Sequence, residues 1–272
     1  MLELAAQRGS VHCLEFLIKS GVSPLDHHDI NERNLLHKLC ILRGERQVEQ
    51  NGVLETLLRL LPDLPKQTDF AGRRPLHYAC EFGQAETARL LLKHAVDCGY
   101  YNAKGFADPA WQDREGHTPL FLAILHGNYQ TLKVLIDVGK ITDIDGVIAG
   151  ASSVIQSEKR VVVTTFTQLA SKQQSNGIGV VGENDTIPEF ARLSHHPSAA
   201  AIACGQSNLE LLNLIIDTGV QVDLADEDGE TALHIAIRTH FADGVRALIT
   251  RGHANVNLPE KVNAWTPLIV AG

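Results

Sequence analysis

The chain alternates short apolar runs with polar breaks in a rhythm that recurs along most of its length. In residues 113–140, DREGHTPLFLAILHGNYQTLKVLIDVGK, a polar turn precedes Thr118-Pro119-Leu120 and two apolar runs that Gly127 separates. Apolar residues recur within each run at the spacing of an α-helix. Residues 226–252, DEDGETALHIAIRTHFADGVRALITRG, repeat the arrangement. The pattern therefore predicts pairs of short helices, each preceded by a polar hairpin.

The same arrangement returns at a nearly constant interval. One position of each first helix serves as a reference, and its occupants are Glu3, His37, His77, Phe121, Ala201, His234 and Ile269. Successive reference positions are 34, 40, 44, 80, 33 and 35 residues apart. Three of these intervals, 34, 33 and 35, lie near a repeat unit of ~33 residues, and the interval of 80 corresponds to one unit plus about 47 residues. The pattern therefore predicts a repeat protein with one long insert.

Turn-forming residues recur at fixed positions before each reference residue. An aspartate lies eight residues before it at Asp29, Asp69, Asp113 and Asp226, and a glycine follows at Gly72, Gly116 and Gly229. An aspartate side chain caps a turn, and glycine tolerates a positive φ angle. A serine or threonine then leads the first helix at Thr118, Ser198, Thr231 and Thr266. Its hydroxyl can accept hydrogen bonds from the free N–H groups of a helix start.

The period, turns, caps and helices together resemble ankyrin repeats. The resemblance covers about 215 of the 272 residues and implies an all-α solenoid of about six to seven stacked helix pairs with hairpin loops. A single pair cannot bury its apolar face alone, so stacking supplies the core. The histidine of the TPLH-like motif is structural in ankyrin proteins. This implies that His37, His77 and His234 form hydrogen bonds across repeats and do not bind metal.

The repeats divide the chain into an N-terminal stack at 1–140, an insert at 141–196 and a C-terminal stack at 197–272. The middle of the insert is rich in Ser, Thr, Gln, Asn and Gly and lacks helical periodicity, so it is predicted to be a long, partly disordered loop. Loops of this length are either functional or disordered, and the sequence favours neither. Neither end has the atypical repeat that usually caps a solenoid, so the chain is expected to be a segment of a longer protein.

Composition narrows the possible partners. The chain has 24 Lys and Arg against 32 Asp and Glu, and its net charge of −8 argues against a nucleic-acid surface. No apolar stretch reaches the length of a membrane span. The five cysteines include no CxxC pair, so they are predicted to be mostly reduced core thiols of a cytoplasmic or nuclear protein. We expect a monomer.

Motifs that would support catalysis or bind a cofactor lack their structural context. Gly177, Gly179 and Gly182 match GxGxxG. A dinucleotide site requires a strand before this motif and a helix after it, and the sequence indicates neither. The histidine pairs at 27–28 and 195–196 have no cysteine or carboxylate cluster at metal-ligand spacing. Nothing marks a nucleophile or a general acid beside a base. The segment is predicted to be non-catalytic, with no cofactor and no metal.

A protein-binding surface is predicted instead, since ankyrin stacks resemble one another in using hairpin tips and inner-helix ends for binding. The variable tip positions are Phe70, Arg73, Arg114, Glu115, His117, Glu227, Asp228 and Glu230. The variable inner-helix positions are Gln7, Arg8, Glu81, Phe82, Leu125, His126, Arg238 and Thr239. Phe70 and Phe82 are expected either to be exposed interface anchors or to pack within the stack. Trp111 and Trp265 leave the same two alternatives.

Longer segments of the sequence resemble a particular group of ankyrin-repeat proteins. ELAAQRGSVHCLEFLIKSG, INERNLLHKLCI, HPSAAAIACGQSNLELLNLIIDTG and VNLPEKVNAWTPLIVA resemble the ankyrin region of fungal phosphate-signalling proteins. Those proteins combine an SPX domain, ankyrin repeats and a glycerophosphodiester phosphodiesterase-like domain. One branch inhibits a cyclin–cyclin-dependent-kinase complex when phosphate is scarce, which implies a kinase complex as the protein partner. The SPX basic cluster and the phosphodiesterase residues have no counterpart here. A non-catalytic arm of the phosphodiesterase and a scaffold of an unrelated pathway are the alternatives.

Overall fold

The computed structural model describes residues 1–23, 28–42, 47–102, 105–141, 144, 145, 147 and 198–272. In these residues it delimits thirteen α-helices and shows no β-strand, which confirms the predicted all-α class. The helices are α1 (Leu2–Gln7), α2 (Val11–Lys19), α3 (Leu35–Ile41), α4 (Gln47–Leu60), α5 (Pro75–Glu81), α6 (Ala85–Asp97), α7 (Pro119–Leu125), α8 (Tyr129–Gly139), α9 (Ala199–Gly205), α10 (Leu209–Asp217), α11 (Ala232–Arg238), α12 (Ala242–Thr250) and α13 (Pro267–Val270). None of them is both long enough and apolar enough to cross a membrane.

The helices form a stack of two layers. Six consecutive pairs run from α1–α2 to α11–α12, and α13 begins a seventh. First helices pack on first helices, in the order α1, α3, α5, α7, α9, α11 and α13, and second helices pack on second helices in the other layer. Successive repeats therefore cover each other's apolar faces, as the predicted solenoid of six to seven repeats requires.

The stack is continuous across the predicted insert. Gln206, just after α9, donates from Nε2 to the carbonyl oxygens of Ile124 and Leu125 in α7, at 3.1 and 2.5 Å. The fourth and fifth repeats therefore contact each other directly. Residues 148–196, which are most of the predicted insert, lie outside the described residues, but Ile144 and Val147 near its start are buried in the core.

Three buried histidines join successive repeats. His37 donates from Nε2 to Arg73 O at 2.9 Å, His77 to Trp111 O at 3.0 Å and His234 to Trp265 O at 3.2 Å. Each Nδ1 atom accepts a hydrogen bond from the backbone N–H at the start of its own helix. Burial lowers the pKa of His37 and His77 to about 4, so both are neutral at neutral pH. The predicted structural role of the three histidines is confirmed.

The segment between α6 and α7 carries a small aromatic core. Trp111 and Phe106 are buried, with their ring centroids 5.4 Å apart, and Tyr101 packs on both. Trp111 therefore packs within the stack, the second of its two predicted alternatives. Trp265, by contrast, is 46% exposed.

The cysteines divide into two groups. Cys40, Cys80 and Cys204 are buried, and burial raises their thiol pKa values, that of Cys204 to about 12. Cys13 and Cys98 are exposed. The prediction of mostly core thiols holds for three of the five.

Candidate protein-binding surface

Four hairpins that precede first helices share one geometry. In residues 29–33, 69–73, 113–117 and 226–230, Oδ1 of the leading aspartate accepts two backbone hydrogen bonds of 2.8–3.0 Å. The fourth residue of each hairpin has a positive φ angle, which glycine adopts without strain at Gly72, Gly116 and Gly229. Glu32 adopts it in the first hairpin. The predicted turn chemistry of the aspartates is confirmed.

Neighbouring hairpins are joined edge to edge by backbone hydrogen bonds. Phe70 N–H donates to Asn31 O and Arg114 N–H donates to Ala71 O, both at 2.9 Å. Gly72 permits this approach, because a Cβ atom there would lie 3.1 Å from the backbone nitrogen of Arg114. The tips of the hairpins at 29–33, 69–73 and 113–117 are thus held in a fixed row.

The second residues of these three hairpins, Ile30, Phe70 and Arg114, form an exposed surface that we call the tip row. Ile30 is 99% exposed and Phe70 is 61% exposed. The guanidinium carbon of the exposed Arg114 lies 4.6 Å from the centroid of the Phe70 ring. Exposed aromatic and arginine side chains of this kind anchor protein interfaces. Phe70 is therefore exposed and does not pack within the stack.

Next to the tip row, charged side chains form ion pairs with one another. Arg73 donates from Nη1 to Glu81 Oε2 at 2.9 Å and from Nε to Asp113 Oδ2 at 3.0 Å. Only 14% of the Arg73 side chain is exposed. The sequence predicts Arg73 and Glu81 as partner-binding positions, whereas the structure uses both to join α5 to the hairpin at 113–117. Their donors and acceptors are engaged within the stack.

His117 extends this cluster. Its Nδ1 atom lies 3.5 Å from Asp113 Oδ2 and 3.3 Å from Glu115 Oε2. Burial acts to lower the pKa of His117, but the two carboxylates outweigh it and raise the pKa to about 9. Burial likewise acts to raise the pKa of Asp113, but His117 and Arg73 hold it at about 2. His117 is therefore charged at neutral pH and Glu115 and Asp113 are its counter-ions.

The carboxylates and the imidazole of this cluster lie close enough together to be compared with a metal site. One potential ligand atom from each of Asp113, Glu115 and His117 lies within 4.8 Å of the others. The raised pKa keeps His117 protonated at neutral pH, so a metal ion would have to displace this proton. Arg73 also lies against the Asp113 carboxylate. The arrangement is that of an ion-pair cluster.

Comparison with known proteins identifies the repeat. The family model described as "Ankyrin repeats (3 copies)" matches residues 2–100, 46–145 and 198–272. The chain belongs to the ankyrin-repeat family. The crystal structure of the human ASB11 ankyrin repeat domain is 20% identical, with a TM-score of 0.56 over 100% of this chain and 91% of that one. The ankyrin repeat protein EF0377 is 16% identical, with a TM-score of 0.55 over 92% of this chain and 96% of that one. Both likenesses concern the fold.

Three similar curated proteins are fungal. Glycerophosphocholine phosphodiesterase GDE1 of Candida albicans is 25% identical over 305 residues, covering 99% of this chain and 22% of the relative. GDE1 of Eremothecium gossypii is 26% identical over 324 residues, covering 100% and 21%. The ankyrin repeat protein nuc-2 of Neurospora crassa is 24% identical over 267 residues, covering 97% and 19%. The chain therefore spans about a fifth of the length of these relatives.

The sixth ankyrin repeat carries a second charged cluster. Arg238 Nη1 lies 2.5 Å from Glu230 Oε1, and Arg238 Nη2 lies 3.2 Å from Glu260 Oε2. Burial, followed by the nearby Asp226 and Glu260 carboxylates, raises the pKa of Glu230 despite the opposing effect of Arg238. Glu230 is largely covered and its charge is engaged within the stack, whereas nearly half of the Arg238 side chain is exposed.

The other predicted binding residues differ in exposure. Leu125 is 7% exposed, so it fills the core and is not available on the surface, contrary to the sequence-based expectation. Phe82 is half-buried, packs on the core and stacks on Tyr78 with ring centroids 6.4 Å apart. Thr239 is also half-buried, and its Oγ1 donates to Ile235 O at 2.9 Å. The exposed residues of the predicted set are Gln7, Arg8, Phe70, Arg114, His126, Glu227, Asp228 and Arg238.

Proposed function

We propose that this ankyrin stack recognises a protein partner, and that its main contact is the tip row. The observation that carries the proposal is the exposed Phe70 ring held under the Arg114 guanidinium, at tips that backbone hydrogen bonds fix in place. A rigid aromatic–arginine pair loses little conformational freedom on binding, so more of its contact energy appears as affinity. The ankyrin fold itself is non-catalytic, so the role of the chain is recognition.

The partner that we propose is a cyclin–cyclin-dependent-kinase complex, which the chain would inhibit in phosphate-starvation signalling in the cytoplasm or nucleus. The support is the likeness of several long segments to the ankyrin region of fungal phosphate-signalling proteins. Alignment of 97% of the chain with nuc-2 is consistent with that group.

A second candidate is favoured by a specific observation. Two glycerophosphocholine phosphodiesterases align with 99% and 100% of this chain. In this alternative the stack is an arm of such an enzyme and contacts the enzyme's own catalytic domain. The 272-residue chain alone is then expected to hydrolyse no glycerophosphodiester, since the catalytic residues lie elsewhere in the enzyme.

One experiment separates the two candidates. The purified chain is titrated into a fungal cyclin–kinase complex while phosphorylation of a substrate protein is measured, and in parallel into the catalytic domain of the Candida albicans phosphodiesterase by calorimetry. If the wild-type chain inhibits the kinase and the double variant Phe70→Ala/Arg114→Ala does not, the first candidate is supported. Binding to the catalytic domain without kinase inhibition supports the second. Matching circular dichroism spectra of both chains exclude unfolding, and Arg246→Ala, a change on the outer helix α12, serves as the control.

A further inference from the structure

The tip row exposes apolar surface that folding would ordinarily bury. Ile30 is almost fully exposed, and more than half of Phe70 is in contact with solvent. The two residues lie on adjacent hairpin tips, because Phe70 N–H donates to Asn31 O, the backbone of the residue after Ile30. When a partner covers apolar groups at a surface, each Å² that it covers contributes about 25 cal/mol to the free energy of binding. The row therefore offers two adjacent apolar contacts.

Arg114 adds a cation at one end of this row. Its guanidinium carbon lies over the Phe70 ring, 4.6 Å from the centroid. A guanidinium that contacts an aromatic ring can still donate hydrogen bonds from its N–H groups. In the part of the chain that the structure describes, Arg114 forms no ion pair. The two carboxylates beside it in sequence, Asp113 and Glu115, are instead engaged by Arg73 and His117.

We propose that the tip row binds a segment of the protein partner in which a carboxylate side chain lies next to apolar side chains. The carboxylate would accept two hydrogen bonds from the edge of Arg114, a geometry that suits guanidinium and carboxylate groups. The apolar side chains would cover Phe70 and Ile30. This inference rests on the proposed recognition function and specifies the chemistry of its ligand.

The site ends where the repeat sequence changes. In the hairpin at 226–230 the position of Phe70 is occupied by Glu227, and in the next turn Lys261 takes the position of Arg114 and donates from Nζ to Glu227 O at 3.1 Å. That pair has no exposed aromatic ring. The acidic–apolar segment is therefore bound at hairpins 29–33, 69–73 and 113–117 and not along the whole stack.

The test uses a random dodecapeptide library displayed on phage and selected on the immobilised 272-residue chain. The expected result is enrichment of peptides with Asp or Glu next to Leu, Phe or Trp. The best synthetic peptide should bind about tenfold more weakly to Arg114→Ala and to Phe70→Ala. It should bind equally to the wild type and to Arg246→Ala, because Arg246 is an exposed arginine on α12. Binding to Arg114→Glu should recover when the peptide's acidic residue is replaced by lysine.

The inference would be overturned if no peptide were enriched or if basic peptides were enriched. It would also be overturned if Arg246→Ala weakened peptide binding as much as Arg114→Ala does, or if binding required phosphoserine in place of the carboxylate. Circular dichroism and melting curves of each variant establish that it folds. The selection contains neither cyclin nor kinase, so its result is independent of the proposed partner. A chain that selects acidic–apolar peptides but leaves the kinase active retains this inference and rejects only the kinase complex.

Discussion

In the sixth ankyrin repeat, the guanidinium of Arg238 lies 2.5 Å from the carboxylate of Glu230, eight residues earlier in the chain. The third repeat fills the same two positions with Glu81 and Arg73, with the charges exchanged and a separation of 2.9 Å. The last residue of the hairpin and the last residue of the first helix therefore face each other whichever of them is the cation. Either cation also reaches the acidic residue that leads the next turn, Glu260 or Asp113.

The two arginines should nevertheless differ in their contribution to stability. Arg73→Ala removes a guanidinium that is 14% exposed and leaves the almost fully buried Asp113 carboxylate with His117 as its remaining cation, so we expect a loss of about 3 kcal/mol in the free energy of unfolding. Arg238 is 46% exposed, and water can approach the carboxylates it leaves, so Arg238→Ala should cost about 1 kcal/mol. Urea unfolding at pH 7 measures both values. Equal losses would contradict the ranking.

Stability should fall as the solution becomes alkaline. His117 has a folded-state pKa of about 9, raised from 6.5, so its contribution is fully present below pH 6.5 and is lost as the pH rises through 9. The expected loss in unfolding free energy between pH 7 and pH 9.5 is on the order of 2 kcal/mol. His117→Gln should flatten the pH profile in this range. An unchanged slope in the variant would mean that another group causes the loss.

The sequence predicts the repeats because their signals are local. An aspartate that caps its own hairpin, a glycine with positive φ and apolar residues at helical spacing each act within a few positions, so the helix pairs and the turn at Asp113 follow from the chain alone. The exposure of individual binding residues depends on the neighbouring repeat. Arg73 is engaged by Asp113 of the next hairpin, and the carbonyl oxygen of Leu125 accepts a hydrogen bond from the Gln206 side chain of the repeat beyond the predicted insert.

Ile30 is the tip-row residue that the sequence pattern does not single out. Its hairpin has Glu32 where the others have glycine, and an isoleucine after an aspartate resembles the start of a core segment. Only the pairing of this hairpin with the one at 69–73 places Ile30 beside Phe70. Phe82 takes the packed alternative, because this aromatic residue at an inner-helix end stacks on Tyr78 and is half-buried. The pair to mutate is therefore Phe70 and Arg114.

Much of the predicted insert should be dispensable for folding. Gln206 already joins the fifth repeat to Ile124 and Leu125 of the fourth, and the cost of closing a loop grows slowly with its length. Replacing residues 148–188 with a short Gly/Ser linker should leave the melting temperature within about 3 °C of the original. Differential scanning calorimetry measures the shift. A drop several times larger would show that these residues stabilise the stack.

The hairpin aspartates offer a matched comparison of one substitution in two electrostatic settings. In Asp113, Oδ1 accepts backbone hydrogen bonds from Glu115 and His117, while Oδ2 accepts from Arg73 Nε at 3.0 Å. In Asp226, Oδ1 accepts the equivalent pair from Asp228 and Glu230. Its Oδ2 atom, however, is buried and has no hydrogen-bond partner among the residues that the structure describes.

Asparagine keeps the capping oxygen in both hairpins but removes the negative charge. Asp113→Asn should therefore lose about 2 kcal/mol of unfolding free energy, since Arg73 and His117 each lose one of their counter-ions. Asp226→Asn should change it by less than about 0.5 kcal/mol or increase it, because the charge it removes repels Glu230. Urea unfolding of the two variants at pH 7 measures the difference. If Asp226→Asn proves as destabilising as Asp113→Asn, then Oδ2 of Asp226 binds a donor in solution and the two hairpins are electrostatically equivalent.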